Sequence, residues 1–336
     1  MVKMVLIGAG RMGHRFSQAI RQSGHDLNMI FDPSEMPWAV QQEADLAKIH
    51  TRNFNDVITS SAEVYVICTT ADHHVRIATE LIISGAKRLI IEKPLCQSVA
   101  EGIALEKLAK KNSVRIIVNH GRRYSKNTAT LKDLDGDPRT GSLRSIIIKM
   151  GGGSFGCVGT HWIDLCNNLV EGLPNKIFGI LSNHTPVDNR GNQYFDPGGT
   201  AVLTYDKGKR AIIDLGDDIG IVVGAEFVYE KGVVSWSVEG GKWTFMHRSL
   251  SDSEKPLTHY GIPLIETNFE SSAPDLIEYA VAAINDALSD AEINSGVSQA
   301  LDTMEVFAGI RYSARDGKIV SLPIPEIEKQ ISYDIP

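Results

Sequence analysis

The stretch MVLIGAGRMG, residues 4–13, decides the fold of the N-terminal part of this chain. Its apolar residues Val5-Leu6-Ile7 lead directly into three glycines, and the pattern predicts an amphipathic helix after them. In a dinucleotide-binding turn the first glycine permits the tight turn, the second lets a pyrophosphate approach, and the third lets helix pack on strand. The helix N-terminus adds free N–H groups. The predicted contacts of a dinucleotide are therefore Gly8, Gly10, Arg11, Met12 and Gly13.

An acidic residue lies at the distance that such a turn requires. Asp32 follows the apolar run Leu27 to Phe31 and lies 19 residues after Gly13. A carboxylate there can bind both ribose hydroxyls of NAD and repel the 2′-phosphate of NADP. The alternative is a glycine-rich turn in some other α/β protein. Because strand, helix and acid occur together, the pattern favours NAD as the cofactor over NADP.

The first part of the chain alternates strands and helices. Strands are predicted at 64–68, 88–91 and 114–118, and helices at 72–84 and 99–112. The strands lack polar alternation, as is typical of strands buried on both faces. This order predicts a doubly wound parallel sheet, a Rossmann domain, over residues 1–121.

The pattern changes in residues 122–336, where short turns join neighbouring runs and favour antiparallel pairing. We expect an α+β domain with a largely antiparallel, open sheet. Its predicted strands are 143–150, 176–182, 200–206, 209–216, 221–229 and 232–238, and its predicted helices are 125–134, 160–170, 273–288 and 296–314.

Two clusters can carry chemistry. Glu92, Lys93 and Pro94 follow a predicted parallel strand, at the sheet edge where ligands bind, and the Lys93 ammonium can stabilise an alkoxide. The alternative is an ordinary surface lysine. Three glycines at 151–153 precede a helix with His161 in or just before its first turn and Asp164 three residues later. A histidine can take a hydroxyl proton while a hydride leaves the same carbon, although a core or capping histidine is the alternative.

Composition excludes several classes of function. The chain has 336 residues, 43% of them hydrophobic, so two domains are expected. No apolar run is long enough for a membrane span, and the early strand predicts no signal peptide. Four cysteines without CxxC spacing favour a cytoplasmic protein. A net charge of −7 without a basic, aromatic block argues against nucleic acid as a partner, and no metal site is predicted.

Taken together, these motifs resemble the Gfo/Idh/MocA family, the group of glucose–fructose oxidoreductase and inositol dehydrogenase. The resemblance is carried by GAGRMG at 8–13, EKPL at 92–95 and the glycine-rich HxxD stretch at 151–164. Matching stretches also occur at 69–74, 119–124, 141–143 and 308–323, so the resemblance extends over essentially the whole chain.

The resemblance implies an NAD(P)-dependent dehydrogenase or reductase that acts on a CH–OH group of a sugar, cyclitol or sugar nucleotide. It also implies a homodimer or homotetramer formed through the open sheet. By position, it implies that Lys93 and His161 are catalytic, that Arg123, Tyr124, Cys157 and Asp164 bind substrate, and that Thr69, Thr70, His74, Glu92 and Lys93 contact the cofactor.

Two positions depart from the family pattern. Thr70 stands where members usually have proline, and Cys157 stands where many have an aspartate four residues before the histidine. A thiol, with an ordinary pKa of about 8.5, is a poor proton relay at neutral pH. Asp164 is therefore a candidate for the missing carboxylate.

Two functions remain open. One is the sugar dehydrogenase or ketoreductase just described. The other is a non-catalytic, NAD-responsive regulatory protein that binds sugars. The presence of both Lys93 and His161 favours the enzyme.

Overall fold

The computed structural model describes residues 1–183, 193–216, 220, 223–237, 240–269 and 271–336. Short 3₁₀ turns lie at Ala44–Ile49, Gly121–Tyr124, Asp206–Gly208 and Leu250–Asp252, and a π-helical turn lies at Phe155–Gly159. The strands are β1 (Lys3–Ile7), β2 (Asp26–Phe31), β3 (His50–Thr51), β4 (Val64–Ile67), β5 (Arg88–Ile91), β6 (Arg115–Val118), β7 (Leu143–Gly151), β8 (Lys176–Leu181), β9 (Gly199–Thr204), β10 (Arg210–Gly216), β11 (Gly224–Tyr229), β12 (Gly232–Trp236), β13 (Trp243–His247) and β14 (Ile265–Phe269). The helices are α1 (Arg11–Gln22), α2 (Trp38–Gln42), α3 (Phe54–Ile58), α4 (Ala71–Ile83), α5 (Val99–Lys111), α6 (Lys126–Asp133), α7 (Thr160–Val170), α8 (Leu276–Leu288), α9 (Val297–Asp316) and α10 (Glu326–Lys329).

The chain divides into two compact units. The first contains residues 1–124, 275–304 and 329–336, and the second contains residues 125–274 and 305–328. The division at residue 121 predicted from the sequence therefore differs from the observed one, because two C-terminal segments belong to the first unit. The assignment of functions to the two predicted domains stays a prediction.

The first unit contains a six-stranded sheet in the order β3-β2-β1-β4-β5-β6. Every pairing in it is parallel. The apolar strands β4 and β5 are buried along nearly their whole length, as expected for strands covered on both faces. This confirms the predicted doubly wound parallel sheet, whose carboxyl strand ends all lie along one edge.

Helix α8 joins the core of the first unit although it comes from the far end of the sequence. Asp275 caps its N-terminus by accepting hydrogen bonds from the backbone N–H groups of Ile277 and Glu278. Small residues at helical spacing let α8 approach α1 closely, beside Phe16 and Ile20. These fully buried alanines are Ala280, Ala283 and Ala287.

The second unit contains an eight-stranded sheet in the order β14-β13-β12-β11-β7-β10-β9-β8. Its pairings are antiparallel except between β7 and β10, which confirms the predicted α+β architecture. Strands β13 and β14 are not in the sequence prediction, because polar and turn residues surround them. The predicted strand 221–229 is observed from Gly224, while positions 221–222 and 238 lie outside the described residues.

One face of this second sheet carries the buried side chains and the other a row of half-buried apolar ones. Along each strand the side chains alternate between faces. Ile147 pairs with Ile212, which pairs with Val202, which pairs with Phe178. All four are only half-buried, whereas Ile146, Ile148, Ala211 and Ile213 on the other face are buried.

Candidate functional site

The three glycines of the loop between β1 and α1 are required for different physical reasons. Gly8 has a φ of +91°, and a Cβ there would lie 2.7 Å from the carbonyl of Cys68. A Cβ on Gly13 would lie 2.1 Å from the oxygen of Gly8, so α1 packs on β1 only without a side chain. A Cβ on Gly10 would meet nothing within 4 Å. The packing of the protein therefore explains Gly8 and Gly13, whereas Gly10 leaves open space at the start of α1.

That open space is suited to an anion. Gly10 is the N-cap of α1, with extended backbone and no side chain that could cap the helix, and the first turn holds no acidic residue. The first N–H groups of a helix lack intrahelical acceptors and lie at the positive end of its dipole. A pyrophosphate can therefore accept hydrogen bonds there without displacing a carboxylate of the protein.

Asp32 lies beside this loop at the carboxyl end of β2. Its Oδ2 accepts a hydrogen bond from the backbone N–H of Ala9 at 2.8 Å, and its Oδ1 accepts one from Ser34 at 2.9 Å. Each carboxylate oxygen can accept further hydrogen bonds. The carboxylate is thus held next to the phosphate loop, with acceptor capacity left for ribose hydroxyls.

Arg11 and Met12 occupy the first two positions of α1. The guanidinium of Arg11 lies 5.2 Å from the ring centroid of Trp38, whose helix is joined to the loop by a hydrogen bond from Ala39 N to Ala9 O. The sulfur of Met12 accepts a hydrogen bond from Arg15 at 3.0 Å. Trp38 was not singled out from the sequence, since it lies in no motif.

His74 joins two loops at the carboxyl edge of the first sheet. It is buried, with Nδ1 2.8 Å from the carbonyl oxygen of Pro94 and Nε2 3.0 Å from that of Thr69. Burial lowers the pKa of His74 from 6.5 to about 4, against the smaller opposite effect of these contacts. Thr70 is the N-cap of α4. His74 thus joins the loop after β4 to the loop that carries Lys93.

Glu92 follows β5 and is buried. Its Oε1 accepts a hydrogen bond from the side-chain amide of Asn119 at 2.6 Å, just beyond β6. Burial raises the pKa of Glu92, while Lys93 and Asn119 act in the opposite direction. Lys93 is the next residue and is half-buried. The structure therefore adds Asn119 to the predicted site, a polar residue at a strand end that sequence reasoning quoted in a motif without assigning it a function.

Several observations test whether a dinucleotide fits the first unit. Open space at Gly10, an uncapped helix start and the Asp32 carboxylate provide for the phosphates and one ribose. The buried Oδ1 of Asn119 has no hydrogen-bond partner within the described residues, and a hydroxyl or amide of a ligand can supply one. The residues of the first unit therefore fit a bound dinucleotide.

Arg123 and Tyr124, predicted to bind substrate, contact the C-terminal part of the first unit. The Arg123 guanidinium donates to the backbone oxygen of Asn294 at 3.2 Å. The Tyr124 hydroxyl donates to Asp286 Oδ2 at 2.8 Å, and Arg115 pairs with the same carboxylate. Burial and the hydrogen bond to Asp286 raise the pKa of Tyr124. Their assignment to substrate binding stays a prediction.

In the second unit the residues predicted around the histidine lie on one continuous helical segment. His161 is the second residue of α7 and is half-buried, and Asp164 is fully buried. Cys157 lies in the preceding π-helical turn, which the hydrogen bond from Gly159 N to Ser154 O closes at 2.7 Å. Cys157 therefore lies in a π-helical turn, whereas His161 lies in the regular α-helix that follows it.

A carboxylate that the sequence analysis missed binds this turn. Asp196 is buried and accepts hydrogen bonds from the backbone N–H groups of Gly156 and Cys157, each at 2.7 Å. It also accepts one from the Ser154 hydroxyl at 2.6 Å. The only signal in the sequence is an aspartate before Pro197 and two glycines, in a loop some forty residues from the turn.

Two further findings concern metals and membranes. Within the described ranges, no group of three or more His, Cys, Asp or Glu side chains is placed to hold a metal ion. None of the described helices is long and apolar enough to cross a membrane.

Known proteins resemble both the sequence and the fold. Residues 2–120 match the model of the oxidoreductase family with an NAD-binding Rossmann fold, GFO_IDH_MocA. No curated protein matches the chain. The match agrees with the family resemblance and with the NAD-binding Rossmann fold expected for residues 2–120.

Similar solved structures cover nearly the whole chain. An oxidoreductase from Agrobacterium radiobacter, in complex with NAD⁺, L-tartaric acid and magnesium, is 14% identical with a TM-score of 0.78, covering 95% of this chain and 98% of that chain. The WlbA dehydrogenase from Bordetella pertussis, in complex with NADH and UDP-GlcNAcA, is 19% identical with a TM-score of 0.75, covering 96% and 99%. An NAD-binding oxidoreductase from Klebsiella pneumoniae is 14% identical with a TM-score of 0.77, covering 96% and 100%. At these identities the likeness shows a shared fold.

Proposed function

We propose, from the premise that the N-terminal part of this chain belongs to the Gfo/Idh/MocA oxidoreductase family, that the protein is an NAD-dependent dehydrogenase or reductase of a sugar, cyclitol or sugar nucleotide. The observation that carries the proposal is the carboxyl edge of the first sheet. There the open glycine loop, Asp32 and the loop with Glu92 and Lys93 lie along one line of parallel strand ends.

In the proposed reaction, different residues bind the cofactor, stabilise charge on the substrate and transfer the proton. Backbone N–H groups at the start of α1 hold the pyrophosphate, and Asp32 holds the adenosine ribose and disfavours a 2′-phosphate. A nicotinamide bound there would supply the hydride chemistry of the reaction. Lys93 donates a hydrogen bond to the reacting oxygen and stabilises negative charge there. His161 takes the hydroxyl proton in oxidation and returns it in reduction.

The substrate class rests on the family and on two neighbours. UDP-GlcNAcA and L-tartaric acid, bound in the Bordetella and Agrobacterium proteins, each carry hydroxyl and carboxylate groups. Four side chains of this chain are proposed to contact such a substrate: Arg123, Tyr124, Cys157 and Asp164.

The proposal includes a homodimer or homotetramer. The row Phe178, Val202, Ile212 and Ile147 leaves apolar surface on one face of the second sheet. Burying such a face against a second copy removes apolar area from water.

The test is a turnover assay with purified protein, NAD and a panel of sugars, cyclitols and sugar nucleotides, followed by NADH absorbance. We expect turnover with at least one member of the panel. In the variants Lys93→Ala and His161→Ala it should fall by about 10²–10⁴, the usual effect of losing one acid–base group. His161→Ala should still bind NAD. Full turnover in His161→Ala would remove this residue from the mechanism.

A further inference from the structure

We infer that Asp196 is a positioning residue for His161, an inference that rests on the proposed function of that histidine. The Asp196 carboxylate is buried and accepts three hydrogen bonds, from Gly156 N, Cys157 N and Ser154 Oγ. These donors all belong to the turn from which the helix of His161 begins.

The negative charge of the Asp196 carboxylate suits its position at the start of a helical segment. The two backbone N–H groups lie at the start of a helical segment, where such groups lack intrahelical acceptors and where negative charge is favourable. Asp196 thus acts as a cap that comes from a distant part of the chain. Ser154, which precedes the π turn, makes no side-chain capping bond of its own.

The backbone around Asp196 packs against the loop formed by residues 153–155. Phe155 N donates to the carbonyl of Pro197 at 3.2 Å. A Cβ on Gly198 would lie 2.4 Å from Leu215 O and 3.0 Å from Gly153 O, so the segment has no room to move toward either strand or loop. The position of the carboxylate is therefore set by packing as well as by hydrogen bonds.

Hydrogen bonds connect the residues that contact Asp196 to Thr160, the residue before the histidine. The Ser154 carbonyl accepts from Val158 N at 3.1 Å and from Gly159 N at 2.7 Å, and Thr160 Oγ1 donates to Gly156 O at 2.9 Å. His161 is the next residue. A shift of the turn therefore moves the imidazole, and a 1 Å misplacement of a catalytic group costs about 100-fold in rate.

The geometry requires a carboxylate rather than an amide. Oδ2 accepts from both Ser154 Oγ and Cys157 N, and Oδ1 accepts from Gly156 N. In Asp196→Asn, either orientation of the amide places an NH₂ group against a backbone N–H donor. This variant keeps the side-chain volume and removes one acceptor. The control is Ser154→Ala, which removes one hydroxyl donor and leaves both backbone contacts.

Three measurements on the full chain test the inference. In Asp196→Asn we expect kcat to fall about 100-fold, with the KM for NAD close to wild type and the melting temperature lowered by only a few degrees, because one buried N–H group loses its acceptor. In Ser154→Ala we expect less than about a tenfold loss. The imidazole ¹H–¹³C NMR signal of His161, assigned from its absence in His161→Ala, should shift in Asp196→Asn and stay near its wild-type position in Ser154→Ala. Iodoacetamide should modify Cys157 faster in Asp196→Asn than in the wild type, because the variant loosens the turn that carries this thiol.

The outcomes separate this inference from the function on which it rests. If the wild type turns over no member of the panel, the proposed function fails, and the NMR signal of His161 still decides whether Asp196 places the imidazole. An unmoved His161 signal in Asp196→Asn overturns the inference. So does wild-type kcat in that variant, or a joint loss of kcat, NAD binding and melting temperature, since the last pattern indicates a merely structural residue.

Discussion

Replacing Gly10 by alanine should separate cofactor binding from folding in the first unit. The site of the added methyl is open, because nothing lies within 4 Å of it, and φ is −73° at this position. Alanine is a slightly poorer N-cap than glycine, but it also restricts the unfolded chain, and each effect is worth about 0.5–1 kcal/mol with opposite sign. We therefore expect the free energy of unfolding to change by less than about 0.5 kcal/mol.

The same methyl group should weaken NAD binding strongly. It occupies the space through which a pyrophosphate reaches the N–H groups of α1. Losing one hydrogen bond to a charged group costs about 1.5–3 kcal/mol, which corresponds to a roughly 10- to 150-fold higher Kd.

Gly13→Ala is the matched control with the opposite expectation. Its methyl would lie 2.1 Å from Gly8 O and 3.0 Å from Gly8 C, so backbone must shift by more than 1 Å to reach ordinary contact. Overpacking of this kind costs about 1–3 kcal/mol or more, against a gain of about 1 kcal/mol in helix propensity. Gly13→Ala should therefore lower the stability measurably.

Urea denaturation and calorimetric titration with NAD measure the two effects. The expected result is a stable Gly10→Ala protein that binds NAD weakly and a less stable Gly13→Ala protein. Wild-type NAD affinity in Gly10→Ala, or equal destabilisation by the two substitutions, would refute the assignment of this loop.

Three further predictions concern pH, cofactor choice and assembly. The folded-state pKa of His74 is about 4, below its ordinary value of 6.5, so neutral His74 stabilises the fold above pH 6.5. This contribution, on the order of 3 kcal/mol, is lost as the pH falls from 6.5 to 4. In His74→Gln the urea midpoint should depend less on pH in this window, and an unchanged pH dependence would contradict the prediction. Asp32→Ala should raise the Kd of NAD by about tenfold or more and reduce the preference over NADP, measured by paired titrations; tighter NADP than NAD binding in the wild type would sink this prediction. Ile212→Glu should yield monomers by light scattering from a wild-type dimer or tetramer, and a monomeric wild type at micromolar concentration excludes the proposed assembly.

Local patterns made much of the first unit predictable. The glycine loop, the strand ends and the position of Asp32 follow from short-range sequence rules about turns, helix starts and buried strands. The start of α5 is of the same kind, since Ser98 and Glu101 form a capping box within four residues.

Contacts between distant residues were not predictable in this way. Asp196 binds Gly156 across a separation of 40 residues, and no periodicity links the two. Helix α8 was predicted near its observed bounds, but its place against α1 depends on tertiary packing of small residues. The π turn before α7 likewise has no helical or strand period by which the sequence could reveal it.

NADH formation by the wild type, Lys93→Ala and His161→Ala proteins under identical conditions tests the proposed dehydrogenase function most directly. Each protein is mixed with NAD and the panel of sugars, cyclitols and sugar nucleotides, and NAD binding is titrated in parallel. We expect substrate-dependent NADH formation by the wild type, most of it lost in both variants, while His161→Ala still binds NAD. Firm NAD binding by the wild type without turnover of any panel member would contradict it and favour a non-catalytic, NAD-responsive binding protein.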